Sequence, residues 1–186
     1  VTLNAHKIHG PKGVGALYIR EGIKISPVMH GGGHEKGLRS GTENVPGIVG
    51  FAQAVKLAKP GYTNQIKKLR ERLIDRILKI PNTRLNGAKG ERRLCNNINV
   101  SFMNIEGEAI GGYLDAYGIA SSTGSACSSH SLEPSHVLKA IGLSDMQANS
   151  SLRLSLSREN TEQEIDKVFE VLPKIVEKLR KISPFK

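Results

Sequence analysis

Tryptophan is absent from these 186 residues, aromatic residues make up only 4% of them, and cysteine occurs twice. Two cysteines, Cys95 and Cys127, cannot build a disulfide framework, and they lack the C-x-x-C spacing of a structural zinc site. A reducing compartment is therefore expected. No apolar run approaches the roughly 20 residues that a membrane helix needs, and the chain does not open on the basic, apolar, small-residue order of a secretory leader. Both absences point to a cytoplasmic protein with no membrane role. The G-x-x-x-x-G-K-[ST] pattern is missing too, which disfavours nucleotide hydrolysis. His30 and His34 are four residues apart, but the glycines around them do not favour the helix that would pair them, so no metal site is expected. The formal charge of +10 would suit nucleic acid, an acidic protein or a phosphorylated small molecule. Dispersed basic residues, few aromatics and no recognisable nucleic-acid-binding signature argue against the first.

What is present divides into two styles of sequence. From Val1 to about residue 58 the chain is rich in glycine, with a short strand at "VGALYIR" (14–20) and a helix capped by Asn44. Pro46 lies in that helix's first turn, and Ile48, Val49, Ala52, Val55 and Leu57 form its apolar stripe. Residues 64–80 then place Ile66, Leu69, Leu73, Ile77 and Ile80 at helical spacing, with Lys and Arg between them read as a solvated face.

Beyond Pro81 the pattern becomes that of a small layered unit. Ile98, Val100 and Phe102 alternate with Asn97, Asn99 and Ser101, which predicts a half-buried strand. A helix over "GEAIGGYLDAY" ends at Gly118, and a proline-started helix is predicted in "PSHVLKAIG". In "SLRLSLS", Leu152, Leu154 and Leu156 share one face and Arg153, Ser155 and Ser157 the other, so Arg153 points away from the core. Thr161 and Glu164 form a capping box for a last helix that Pro173 should kink or break.

Three stretches carry candidate chemistry. In "AHKIHGPKGVG" (5–15), Lys7 follows a strand, stands beside His6 and precedes glycines that let the backbone approach a bound group. In a partly desolvated, cation-rich pocket such a lysine loses its proton more easily and can form a Schiff base with an aldehyde. In "HGGGHEKGLRSGT" (30–42), bare backbone amides with Arg39, Ser40 and Thr42 are the materials of a phosphate or carboxylate cradle, or of a plain surface loop. In "ASSTGSACSSHSLEP" (120–134), Cys127 has only small polar neighbours, the setting of an accessible nucleophilic thiol, whereas Cys95 near a strand reads as a buried structural residue.

Together with "SSLRLSLS", these stretches occur in the order found in the pyridoxal-phosphate-dependent cysteine desulfurases of the class-V aminotransferase group, and the resemblance runs along the whole chain. It implies an α/β fold: part of a fold-type I large domain over residues 1–80 and a small C-terminal α/β domain over 81–186 that carries the cysteine loop. It implies that Lys7 holds pyridoxal 5'-phosphate and moves protons, and that Asn4 and His6 contact its phosphate. Thr42 would reach the phosphate of a second subunit in a homodimer. Arg153 would grip the substrate's carboxylate, and Cys127 would take sulfur from L-cysteine. The long cysteine segment is similar to that of desulfurases that feed iron–sulfur cluster assembly, with an acidic scaffold or another sulfur acceptor, such as one for tRNA thiolation, as partner. Family members are about twice this length, so a further half of the site is expected upstream or on another chain. Two other readings compete: a related aminotransferase or selenocysteine lyase that does not need Cys127, and a non-catalytic sulfur-carrier or docking module that would not need Lys7.

Overall fold

The alternation of Ile98, Val100 and Phe102 with polar neighbours becomes the middle strand of a three-stranded antiparallel sheet. The computed structural model describes residues 1–58, 60–124 and 133–184. Strand β4 (Asn97–Phe102) is flanked by β3 (Thr83–Leu85) and β5 (Ser151–Ser155), in the order β3-β4-β5. The β4–β5 register pairs Ile98 with Leu154 and Val100 with Leu152, so the apolar residues of both strands share one face. That face is covered by α2 (Thr63–Ile77), α3 (Gly107–Asp115) and the long α6 (Glu162–Ile182). Ile98, Phe102, Ile110, Leu114 and Leu172 are fully buried in the resulting core. Each such side chain contributes roughly 1.5–3 kcal/mol on leaving water. Two short helices, α4 (His136–Ala140) and α5 (Asp145–Asn149), complete this part, and α5 packs against β4.

The chain divides into two compact units, Val1–Pro60 and Gly61–Lys186. The division falls earlier than residue 80 because Leu69, Leu73, Ile74 and Ile77 of α2 belong to the same core as β4 and α6. The first unit is a two-stranded antiparallel ribbon, β1 (Thr2–Asn4) and β2 (Gly15–Leu17), with a 3-10 turn between the strands and α1 (Val45–Leu57) after a glycine-rich loop.

Two expectations need correction. Pro173 does not break α6, which runs from Glu162 through Ile182. The ring removes one backbone donor, but Val171, Leu172, Ile175 and Val176 on either side are buried and hold both halves of the helix in the core. The stripe expected on α1 is not buried within its unit: Ile48, Val49, Val55 and Leu57 are exposed, and the buried positions are Gly47 and Ala54. The caps follow the sequence closely. Asn44 Oδ1 accepts from Gly47 N at 3.1 Å, and Thr161 and Glu164 exchange their two capping hydrogen bonds.

Candidate functional site

Lys7 lies on the 3-10 turn Ala5–Ile8, in the loop that joins β1 to β2. The turn is fixed at its root: Ala5 is fully buried, its amide donates to Val14 O at 3.2 Å, and Gly10 N donates to Ala5 O at 2.9 Å. It leaves through His9 in the left-handed region (φ 64°). Gly10 is glycine because a Cβ there would lie 3.0 Å from both the Ala5 and Ala54 methyls. At Gly50 of α1 a Cβ would come within 2.5 Å of the Pro11 ring. Small residues thus let α1 press against the base of the lysine turn. The tip faces outward: Asn4, His6 and Lys7 are exposed, Asn4 at the N-cap of the turn makes no capping bond, and Lys7 pairs with no described residue. Residues 1–60 by themselves do not give Lys7 the desolvated surroundings expected of it, because so little of this unit is buried.

Thr42 is exposed in the loop that leads to α1. Upstream, Ser40 Oγ donates to the carbonyls of Met29 (3.2 Å) and Gly32 (3.0 Å), and Arg39 Nη1 donates to Ser40 O at 3.0 Å. Ser40, expected as part of an anion cradle, instead folds the glycine loop back on itself. The residues on this unit fit pyridoxal phosphate as a donor set: a primary amine for the aldehyde, and an uncommitted imidazole, amide and hydroxyl for the phosphate, with glycine backbone beside them.

Arg153 stands in the second unit, on the polar face of β5, half-buried, and its guanidinium pairs with no described residue. Its backbone is bound on both sides. It is paired with Asn99 of β4, and on the other edge Ser122 N donates to Arg153 O at 3.0 Å while Arg153 N donates back to Ser122 O. Ser122 Oγ then donates to Gly124 O at 2.8 Å. The chain therefore enters the cysteine segment from an anchor on the arginine strand. Cys127 lies outside the described residues. Cys95 is half-buried with a free thiol.

Sequence reasoning missed a set of polar residues in this second unit. Arg70 was read as part of a solvated face, yet it is 1% exposed. Its Nη1 donates to the carbonyls of Arg93 and Leu94, both at 2.9 Å, its Nη2 donates to Gly90 O at 3.2 Å, and it pairs with Glu71. Arg93 in turn donates to Ala88 O (2.6 Å), to Asn97 Oδ1 (2.9 Å) and to Asn86 O. Burial, and secondarily the Arg70 charge, push the Arg93 guanidinium below its ordinary pKa. The signal for Arg70 was its place four residues after Ile66 and three before Leu73, on the apolar stripe.

Comparison with known proteins bears on the whole chain. Residues 1–168 match the model of the aminotransferase class-V family. The chain is 50% identical over 187 aligned residues to cysteine desulfurase IscS 1 of Archaeoglobus fulgidus, an alignment covering 99% of this chain and 49% of that protein. It is 54% identical to cysteine desulfurase IscS of Methanosarcina thermophila, covering 99% and 46%. A solved structure described as a NifS-like protein superposes with a TM-score of 0.81 at 38% identity, over 96% of this chain and 46% of that one. The chain spans about half the length of the curated relatives it matches.

Proposed function

This chain belongs to the class-V aminotransferase family, and from that membership we propose that it is the lysine- and cysteine-bearing half of a pyridoxal-phosphate-dependent cysteine desulfurase. The observation that carries the reading is the place of Lys7: exposed and without a partner among the described residues, on a turn whose root is buried and hydrogen-bonded.

In this reading Lys7 Nζ anchors the cofactor's aldehyde and moves the proton at the substrate's α-carbon. His6, Asn4 and, across a homodimer, Thr42 hold its phosphate. Bound pyridoxal phosphate supplies the electron sink that makes the substrate's α-carbon reactive. Arg153 receives the L-cysteine carboxylate, and a planar guanidinium with no partner among the described residues suits that task. The Cys127 thiolate attacks the substrate sulfur, so that alanine leaves and the sulfur remains on Cys127 as a persulfide. The persulfide passes to an acidic acceptor that the chain's +10 charge favours, in the cytoplasm and in the service of iron–sulfur assembly or tRNA thiolation. Names of the relatives in Archaeoglobus and Methanosarcina support the desulfurase over an aminotransferase or a docking module.

Borohydride reduction of the protein after loading with pyridoxal phosphate, followed by peptide mass mapping, tests the assignment. A single adduct at Lys7, absent from Lys7→Ala, is the expected outcome. Adducts scattered over many lysines would overturn it. With Lys7 confirmed, Cys127→Ser should abolish cysteine-dependent sulfide release while leaving the adduct in place.

A further inference from the structure

We infer that Asn99 is a second substrate-binding residue, which donates its side-chain amide to the same substrate carboxylate that Arg153 receives. The inference rests on that role for Arg153.

The argument is one of hydrogen-bond logic. Asn99 and Arg153 are paired across β4 and β5, so their side chains leave the same face of the sheet with Cβ atoms about 5 Å apart. Which end of the Asn99 amide faces outward is decided by a chain of bonds that starts in the interior. Gln147 O is a backbone carbonyl and can only accept, so Ser101 Oγ, 2.6 Å from it, must spend its proton there. Ser101 is fully buried, and its oxygen can then only accept from its other neighbour, which is Asn86 Nδ2 at 2.8 Å. Asn86, also buried, is thereby fixed with its NH2 toward β4, and the same NH2 donates to Asn99 Oδ1 at 2.7 Å. Asn99 has its oxygen engaged and its own NH2 left over. No described residue takes that NH2.

The orientation is kept although it strands Asn86 Oδ1, which is buried without a partner among the described residues. Turning Asn86 over would rescue that oxygen only by setting it against the Ser101 and Asn99 oxygens. One pair further along the same strand, Asn97 repeats the arrangement, since its Oδ1 is occupied by Arg93 Nη1 at 2.9 Å. Around Arg153 the sheet therefore offers donors with their acceptors already satisfied. A surface of that kind favours a carboxylate, with four lone-pair positions to fill, over a neutral or cationic group.

The test uses the complete holoenzyme with Asn99→Asp, Asn99→Ala and Arg153→Ala. Asn99→Asp keeps the shape and the acceptor for Asn86 but replaces the outward donor by an acceptor and adds a negative charge beside Arg153; Asn99→Ala removes the donor without adding charge. Both should raise KM for L-cysteine and the calorimetric Kd for L-alanine by about 10-fold or more, the loss expected for a hydrogen bond to a charged group. Their kcat, cofactor absorbance and inhibition by cysteamine, which lacks a carboxylate, should stay within about twofold of the parent. If both Asn99 variants bind L-alanine as the parent does while Arg153→Ala weakens it severely, the role of Asn99 is wrong and that of Arg153 stands. If Arg153→Ala itself leaves L-alanine binding unchanged, the carboxylate site is elsewhere and both assignments fall. Loss of cysteamine inhibition in parallel with L-alanine binding would also overturn the inference, because it would mark a general disturbance of the sheet.

Discussion

The two units of this chain differ in what holds them. Gly61–Lys186 buries a continuous core of helix and strand residues, whereas Val1–Pro60 buries few apolar side chains, Ala5 and Ala54 among them. Yet it is the first unit that carries the lysine turn, and its shape is fixed by backbone bonds and by glycines that admit close contact. One unit stabilises itself by volume, the other is organised around a short turn and exposes apolar surface on α1. The contrast separates the two candidate residues: Arg153 stands on a strand of the well-packed unit, and Lys7 on a turn held by backbone bonds and glycines.

The sharpest way to break this comparison is to cut into each unit. Phe102→Ala, at a fully buried position in the middle strand, should destabilise the chain by about 3–5 kcal/mol in denaturant unfolding. Val49→Ser on α1, at a position 62% exposed, should stay within about 0.5 kcal/mol in the same measurement. A comparable loss from both would mean that the first unit has a core of its own and that the contrast is false.

Arg70 refines the picture, because it shows the second unit held by more than apolar contact. Arg70→Met keeps most of the side-chain volume on α2 but leaves the carbonyls of Gly90, Arg93 and Leu94 without their donor. Those carbonyls sit in a partly exposed loop, so water recovers some of the loss, and a cost of about 2–3 kcal/mol is expected. Hydrogen exchange should place the new mobility in residues 90–94 and spare β5. An unchanged unfolding midpoint would show that the loop is held by Arg93 alone.

These cases also mark what could be read without coordinates. Period and caps carried the elements that pack on their own residues: the alternation in β4 and β5, the stripe of α2, the Asn44 cap and the Thr161–Glu164 capping box are local, and local patterns survive into the fold. The placement of Lys7 and His6 just after a strand, and of Arg153 on the polar face of β5, was legible from local pattern. The stripe of α1 misled because periodicity reports that a face is apolar and says nothing of what covers it. Arg70 had a signal in its place on the α2 stripe, but its partners, the carbonyls of Gly90, Arg93 and Leu94, did not, and the chain Ser101–Asn86–Asn99 joins β4 to the residue after β3 and to α5, a meeting that depends on register. Short elements such as β3 and α5 escaped because three to five residues are too few to show a period.

The smallest effect sharpens the comparison at the entrance to α6, where the second unit leaves the arginine strand. Thr161→Ala removes the side-chain acceptor for Glu164 N and should cost about 1 kcal/mol. The return bond gives this cap a pH dependence. The Thr161 amide, with Asn160 Nδ2 as the lesser donor, holds the Glu164 carboxyl below its ordinary pKa. A carboxylate whose pKa is lower in the folded than in the unfolded chain adds stability above the unfolded value and loses it as pH falls through the folded one. Glu164→Gln should therefore unfold slightly more easily than the parent at neutral pH and match it in acid, below the folded pKa. Glu164 is exposed, so solvent keeps the difference small. A gap between Glu164→Gln and the parent that stays constant across the acid range would place the effect in helix propensity instead of in the charged cap.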